Sequence, residues 1–342
     1  MKKKTINYLV VILLISITGW IILSSENLAD IPSLLLRTNK IYLMLGLLSM
    51  VGFWFSDALI IRSISRMVNV KGNIVNSLKL TMIGQYYSAI TPFASGGQPA
   101  QIYTMVNNSI PVGQATSIMI NKFIIYQTIV TFYSIFMFIL KVGFVYNNIK
   151  PALPFVLIGL ILNLIGIITI FALFFNYKIL EKALVLVLKI ANKIRIINSV
   201  EKYRVKIDQH LEEYVMSIEK IKKNKFVALK VSLITVVQLT FYFSVTYFVY
   251  LALGFSKASF IDIISIQSLL YMAVSFIPTP GTVGASEGGF YILFNVFFAK
   301  NVLVYAILLW RMIIYYFNLF VSGIVTLVDY LTRKNKRIML EE

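Results

Sequence analysis

Long apolar segments separated by short polar connections make up most of this 342-residue chain. A helix that crosses a bilayer needs about 20 mostly apolar residues, and segments of that length recur along the chain. They are continuous rather than alternating in polarity, which argues against strands of a barrel. The pattern predicts an all-α integral membrane protein with six full transmembrane helices, at residues 7–23, 41–61, 117–140, 152–175, 227–252 and 302–328.

Two further apolar segments, 74–110 and 260–299, are each interrupted near the middle by Pro, Gly, Ser and Thr. In both, a helical run ends at a Thr-Pro pair, because proline lacks an N–H and the residue before it avoids helical geometry. A second short helix follows a turn of small residues. We therefore predict two re-entrant helical hairpins, each entering and leaving the membrane on one side.

The basic residues follow this hydrophobic pattern and predict its orientation. The chain has 32 Lys and Arg against 14 Asp and Glu, and the basic connections are the segment 62–79, the loop 176–226 and the C-terminal tail. Since basic loops stay in the cytoplasm, we expect both termini to be cytoplasmic in a bacterial cell membrane. The segment 8–23 is longer than a usual signal peptide core and is interpreted as an uncleaved first span.

The order span, span, hairpin, span occurs twice, in residues 1–150 and again in 151–342, with opposite starting sides. The chain is therefore predicted to consist of two membrane halves of inverted topology. The segment 91–98 resembles 279–287, since both share Thr-Pro, three residues and then Gly. Paired interrupted segments in two inverted halves are typical of the binding site of a transporter.

The loop 176–226 combines an apolar face with regularly spaced lysines. This spacing is typical of an amphipathic helix on the cytoplasmic leaflet. A cytoplasmic continuation of the fourth span is an equally good interpretation.

The composition narrows the classes of partner and chemistry. With 58% apolar residues, and with basic residues placed between spans, the net charge of +18 indicates anionic membrane lipid rather than nucleic acid as the partner. The chain has no cysteine, and its one histidine, His210, lies in a charged loop. We expect no metal site, no cofactor and no catalytic residues, since no nucleophile–base set or phosphate-binding loop is present.

The hairpin turns offer an anion site. Broken backbone at membrane depth persists only when it is buried in protein or faces a wet cavity, so we expect a cavity between the hairpins. The second helix of each hairpin would present free N–H groups and its positive dipole end to a phosphate. The alternative is that the glycines and prolines only permit close helix packing.

Three ionisable residues lie in apolar segments where exposure to lipid would be costly. The side chain of Lys122 either extends to the lipid headgroups or takes part in substrate binding. Arg311 lies too deep for that and could bind a phosphate bidentately. Glu287 could pair with Arg311 or Lys122, carry a proton, or cap the following helix. The candidate substrate-binding residues are Thr91, Pro92, Gly96, Gly97, Gln98, Gln101, Lys122, Thr279, Pro280, Gly281, Gly284, Ser286, Glu287 and Arg311.

Over nearly its whole length the sequence resembles the lysylphosphatidylglycerol synthase transmembrane family, the flippase region of multiple peptide resistance factors. The resemblance rests on the segments 88–92 and 95–99 and, more specifically, on the segments 278–281 and 284–288. Arg311 after Trp310 matches the family's late arginine. Gln98 stands where many relatives have Glu, and Asn121-Lys122 stands where Asp-Arg is common.

The resemblance implies a membrane domain that moves lipid between leaflets. Synthase members carry a soluble aminoacyl-transferase domain after the membrane region, and this chain extends about 14 residues past Val328, so we do not expect aminoacyl transfer. The leading hypothesis is a flippase for a phospholipid or a polyprenyl-phosphate lipid, with a homodimer as one possible assembly. The alternatives are a membrane enzyme acting on lipid-linked phosphate or sugar, and a non-transporting partner of a lipid-modifying enzyme.

Overall fold

The computed structural model describes residues 38–70, 72–175 and 224–341, with a few isolated positions at 36 and between 181 and 219. The predicted first span and the amphipathic loop 176–226 therefore lie outside the described residues. Within the described residues all regular structure is helical, as expected for chains whose backbone groups must be satisfied without water.

Eleven α-helices occur in the described ranges. They are α1 (Lys40–Met67), α2 (Ile74–Ile90), α3 (Gly97–Asn107), α4 (Val112–Leu140), α5 (Val142–Asn148), α6 (Leu153–Phe175), α7 (Lys225–Ala252), α8 (Phe260–Val274), α9 (Ala285–Phe294), α10 (Lys300–Arg311) and α11 (Asn318–Glu341).

Four helices are long and apolar enough to cross a membrane: α1, α4, α7 and the continuous helix Lys300–Arg333 formed by α10, a π-helical segment and α11. They coincide with four of the six predicted spans. The predicted span 152–175 is also helical, as α6. The connection after α4 is not a plain loop, because it contains the short helix α5.

Both interrupted segments form a helix, a turn and a second helix, as predicted. The first hairpin is α2, a short 3-10 turn at Pro92–Ala94, and α3. The second is α8, a 3-10 turn at Pro280–Thr282, and α9. In each, the two helices pack against one another. That they enter the membrane as re-entrant elements stays a prediction.

The antiparallel pair α1 and α7 forms the most extensive helix contact. The backbone N–H of Asn39, before α1, donates to the carbonyl of Ala252 at the end of α7, at 2.9 Å. Helix α2 packs on α1 and α11, and helix α8 packs on α4, α6 and α7. Each hairpin is therefore held by helices from both 1–150 and 151–342.

The interior is filled mainly by large apolar side chains, among them Phe243, Tyr250, Phe290 and Phe294, which are buried. The rings of Phe290 and Phe294 stack with centroids 4.3 Å apart. Outward positions of α4, α6 and α7 carry exposed apolar residues such as Phe136, Ile158 and Leu233. Extensive exposed apolar surface of this kind is unusual for a soluble monomer and suits contact with lipid.

Candidate functional site

The two hairpin turns follow the same backbone path over four residues. Thr91 and Thr279 are extended, with φ of −115° and −104°, and each precedes a proline. Left-handed residues follow, with φ of 55° at Phe93 and 60° at Gly281. The next residues, Ala94 and Thr282, both have φ of 52°. The two Thr-Pro segments that align in sequence therefore also share one backbone conformation. It includes a left-handed region that non-glycine residues rarely adopt.

Each turn is closed by the hydroxyl of its threonine. Thr91 Oγ1 donates to the carbonyl of Tyr87 at 2.6 Å and accepts from the N–H of Gly96 at 2.8 Å. Thr279 Oγ1 donates to the carbonyl of Val283 at 3.1 Å. Short polar side chains are suited to closing a turn because they can hydrogen-bond backbone groups a few residues away.

The two turns also touch each other, and Tyr315 links them. Its hydroxyl donates to the carbonyl of Ala89 in the first hairpin, at 3.3 Å. Its ring lies so close to Gly281 that a Cβ there would be 2.1 Å from a ring carbon. This close approach requires glycine at position 281, and the positive φ there also favours it.

Arg311 and Glu287 form a bidentate ion pair beside the second turn. Arg311 Nε donates to Glu287 Oε1 at 2.6 Å, and Nη2 donates to Oε2 at 2.9 Å. The remaining guanidinium donors bond the carbonyls of Gly281 at 3.1 Å and Thr282 at 3.3 Å. Of the two cations considered as partners of Glu287, the structure pairs it with Arg311 and not with Lys122.

Glu287 also caps α9, in whose first turn it lies. Its Oε2 accepts from the N–H of Gly284 at 2.7 Å, at the N-terminus of α9. A carboxylate is favourable there because of the partial positive charge of the helix end. The expected anion position at α9 is therefore occupied by the protein's own carboxylate. Glu287 and Arg311 are each 4% exposed, so the pair is closed to a ligand in this conformation.

The backbone changes form directly after Arg311. Residues Met312–Phe317 are π-helical and separate α10 from α11. Single π-helical turns inside helices occur frequently at functional sites. This segment contains Tyr315, whose ring, like that of Trp310, lies near the guanidinium, at 5.5 Å and 5.2 Å from the Arg311 Cζ.

Lys122 is directed into the bundle and not towards the headgroups. Its Nζ lies 2.7 Å from Asp57 Oδ2, and the two side chains are 16% and 4% exposed. Asp57 accepts two further hydrogen bonds, from Thr81 Oγ1 at 2.8 Å and from Gln238 Nε2 at 3.0 Å. The four residues come from four helices, α1, α2, α4 and α7.

Asp57 is a residue that the sequence reasoning missed. It lies within the predicted span 41–61, so the criterion that selected Lys122, an ionisable residue inside an apolar segment, also applies to it. Tyr315 and Gln238 were missed as well. No local signal marks them, because their partners are remote in sequence.

Three tyrosines, from α4, α7 and α8, meet inside the bundle. The hydroxyls of Tyr126 and Tyr271 are 3.0 Å apart, and the ring of Tyr271 packs edge-on against that of Tyr242, with centroids 5.8 Å apart.

The other predicted residues of the first hairpin hold its helices together. Gln101 is buried and donates to the carbonyl of Leu80 at 2.9 Å. A Cβ on Gly97 would lie 2.1 Å from Ser88 Oγ and 2.7 Å from the Gly84 carbonyl. Gln98 is half-buried, and Pro92 is exposed at the turn. These contacts favour the packing alternative for Gly97 and Gln101.

In the second hairpin, Pro280 and Ser286 are buried, and Ser286 Oγ lies 2.6 Å from Thr282 Oγ1. Gly281, Gly284, Glu287 and Arg311 are therefore the predicted residues that the structure assembles into one cluster. Within residues 38–70, 72–175 and 224–341, no three His, Asp or Glu side chains are grouped so as to hold a metal ion.

Two comparisons with known proteins match most of the chain. The family model described as the lysylphosphatidylglycerol synthase TM region matches residues 7–322. A protein named "UPF0104 membrane protein" from Archaeoglobus fulgidus is 26% identical over 294 residues, covering 85% of this chain and 88% of the relative.

Proposed function

We propose that this chain, which belongs to the lysylphosphatidylglycerol synthase TM region family, moves a phosphate-bearing lipid across the bacterial cytoplasmic membrane. The chain is a membrane protein with several apolar helices. One observation carries the proposal: where the two broken hairpins meet, Arg311 is bound bidentately by a carboxylate and by two turn carbonyls.

This arrangement is difficult to explain by stability alone. A buried ion pair loses so much hydration that apolar replacements of similar size are often equally stable. Ionisable residues inside a membrane more often mark a substrate or ion pathway. The packing alternative explains Gly97 and Gln101 but gives no reason for a buried arginine and glutamate at the turn.

Phosphate is the headgroup chemistry that Arg311 fits. Arginine binds carboxylate and phosphate with the same two-point geometry, so a lipid phosphate could take the position that the Glu287 carboxylate holds. In this proposal Glu287 is the gate: protonation or rotation away from Arg311 frees the guanidinium and avoids placing two anions together. The carbonyls of Gly281 and Thr282 keep Arg311 in place during the exchange.

The membrane placement belongs to the same proposal. The two hairpins enter from opposite faces as re-entrant elements of inverted halves, and the basic segments place both termini in the cytoplasm. The matching turn conformations of Phe93–Ala94 and Gly281–Thr282 support such a repeat.

The test is a leaflet-exposure assay on proteoliposomes with labelled phosphatidylglycerol. We expect Arg311→Ala to slow movement about tenfold or more, since charged hydrogen bonds contribute about 1.5–3 kcal/mol. Glu287→Gln should slow movement as well, because the neutral amide cannot regain the charge that displaces the bound phosphate from Arg311. Arg311→Lys should be slow too, because lysine cannot bind bidentately. Lys230→Gln removes an exposed cation of α7 and should match the parent. Parental rates in all Arg311 variants would reject the site, and a new lipid mass by mass spectrometry would indicate an enzyme instead.

A further inference from the structure

A polar cavity lies at the basic end of the bundle, apart from the hairpin turns. Its volume is about 310 Å³. It is formed where α1 ends, where α2 begins and where α3 ends. The polar residues that line it are Arg62, Ser65, Asn76, Ser77, Lys79 and Asn108.

Arg62 has an unused donor in this cavity. Its Nε atom is buried and has no hydrogen-bond partner within the described part of the chain. A buried polar donor without an acceptor costs about 1–3 kcal/mol, and more when the group is charged. Arginine keeps its charge in proteins, so an anion or a water molecule at this position would satisfy the Nε donor.

The surroundings are positive. No Asp or Glu lines the cavity among the described residues. Lys79 is paired with Asp329 at 2.9 Å, and Asp329 also pairs with Arg333. Arg66 lines a neighbouring cavity that shares Val70 and Gly72 with this one. Lys79 and Arg333 thus share a single carboxylate, that of Asp329.

We propose that this cavity binds a phosphate group, with Arg62 as the principal cation. Phosphate is an oxyanion with several acceptors, which suits a guanidinium flanked by hydroxyl and amide side chains. The cavity is larger than a phosphate ion, so it could also admit the glycerol part of a headgroup. The phosphate comes either from a membrane lipid or from solution, and the same site serves both. The site stands independently of transport, because its residues are not those of the Arg311 cluster.

Binding can be measured on the purified full chain in a neutral detergent. One arm titrates inorganic phosphate and the other titrates short-chain phosphatidylglycerol, each against a chloride control of equal ionic strength. We expect at least one ligand to raise the melting temperature of the parent saturably. Arg62→Gln should weaken the apparent affinity about tenfold or more, as expected when a charged hydrogen bond worth about 1.5–3 kcal/mol is lost.

Asn76→Asp provides a second variant that should fold well, because Asn76 lies in the first turn of α2, where a carboxylate is favourable. The added charge should exclude phosphate. Lys230→Gln should bind as the parent does. Saturation by inorganic phosphate indicates a site for phosphate from solution, and saturation by phosphatidylglycerol alone indicates a headgroup site. Saturation by neither ligand, or parental affinity in both Arg62→Gln and Asn76→Asp, would overturn the proposal.

Discussion

Lys122 Nζ lies 2.7 Å from Asp57 Oδ2 inside the bundle, although 65 residues separate the two along the chain. The pair parallels Glu287 and Arg311. Each cation lies about three turns into the helix that follows a hairpin. The anion differs, because the first hairpin has the neutral Gln98, and helix α1 supplies Asp57 instead. The two halves therefore each bury one ion pair, with different partners.

Separate neutralisation of Glu287 or Arg311 should destabilise the protein. Either change leaves one charge buried without a partner, at a cost of about 3–5 kcal/mol. The double variant Glu287→Gln with Arg311→Gln removes both charges and should recover most of the stability while staying inactive in lipid movement. Thermal unfolding in detergent measures the first effect, and the proteoliposome assay measures the second. Additive losses in the double variant would contradict the pairing.

The Asp57 network should behave in the same way but with a smaller loss. Asp57→Asn leaves Lys122 without an anion, and we expect a loss of about 2–3 kcal/mol, below the usual range for a buried pair because Lys122 is partly exposed. Combining it with Lys122→Gln should restore stability. Melting temperatures of the two single variants and the double variant complete the cycle. If Asp57→Asn alone melts like the parent, the pair contributes nothing.

Gly97→Ala should separate α2 from α3. The added Cβ would overlap Ser88 Oγ and the backbone carbonyl of Gly84, and a backbone atom cannot move aside cheaply. We expect a loss of about 1–3 kcal/mol from overpacking. Gly288→Ala is the matched control, since nothing lies near its Cβ position and alanine favours a helix. A melting temperature for Gly97→Ala equal to that of Gly288→Ala would refute the close approach.

Tyr315→Phe should loosen the contact between the hairpins without disturbing Gly281. The change removes the hydrogen bond to the Ala89 carbonyl and keeps the ring, so we expect a loss of about 0.5–1.5 kcal/mol. Proteolysis or hydrogen exchange of the first hairpin should rise. Gly281→Ala, by contrast, would collide with the ring and should be more damaging than Tyr315→Phe. The reverse order would show that the ring contact is unimportant.

Much of this architecture depends on local properties of the chain. The spans follow from hydropathy, and the hairpin breaks follow from the missing N–H of proline. Glu287 and Arg311 became candidates because a charge in an apolar segment is costly. The Thr-Pro segments were aligned from the sequence, and Phe93 shows that the turn keeps its left-handed backbone even where no glycine is present.

The sequence by itself therefore determined the helical membrane class, the positions of the four long apolar helices and the two places where helices break. Only the tertiary structure decided which charges meet: Glu287 with Arg311, 24 residues apart, and Asp57 with Lys122, 65 residues apart. It also decided that Tyr315 joins the two hairpins. The physical reason is that helix formation depends on neighbours along the chain, whereas ion-pair partners depend on how distant helices pack.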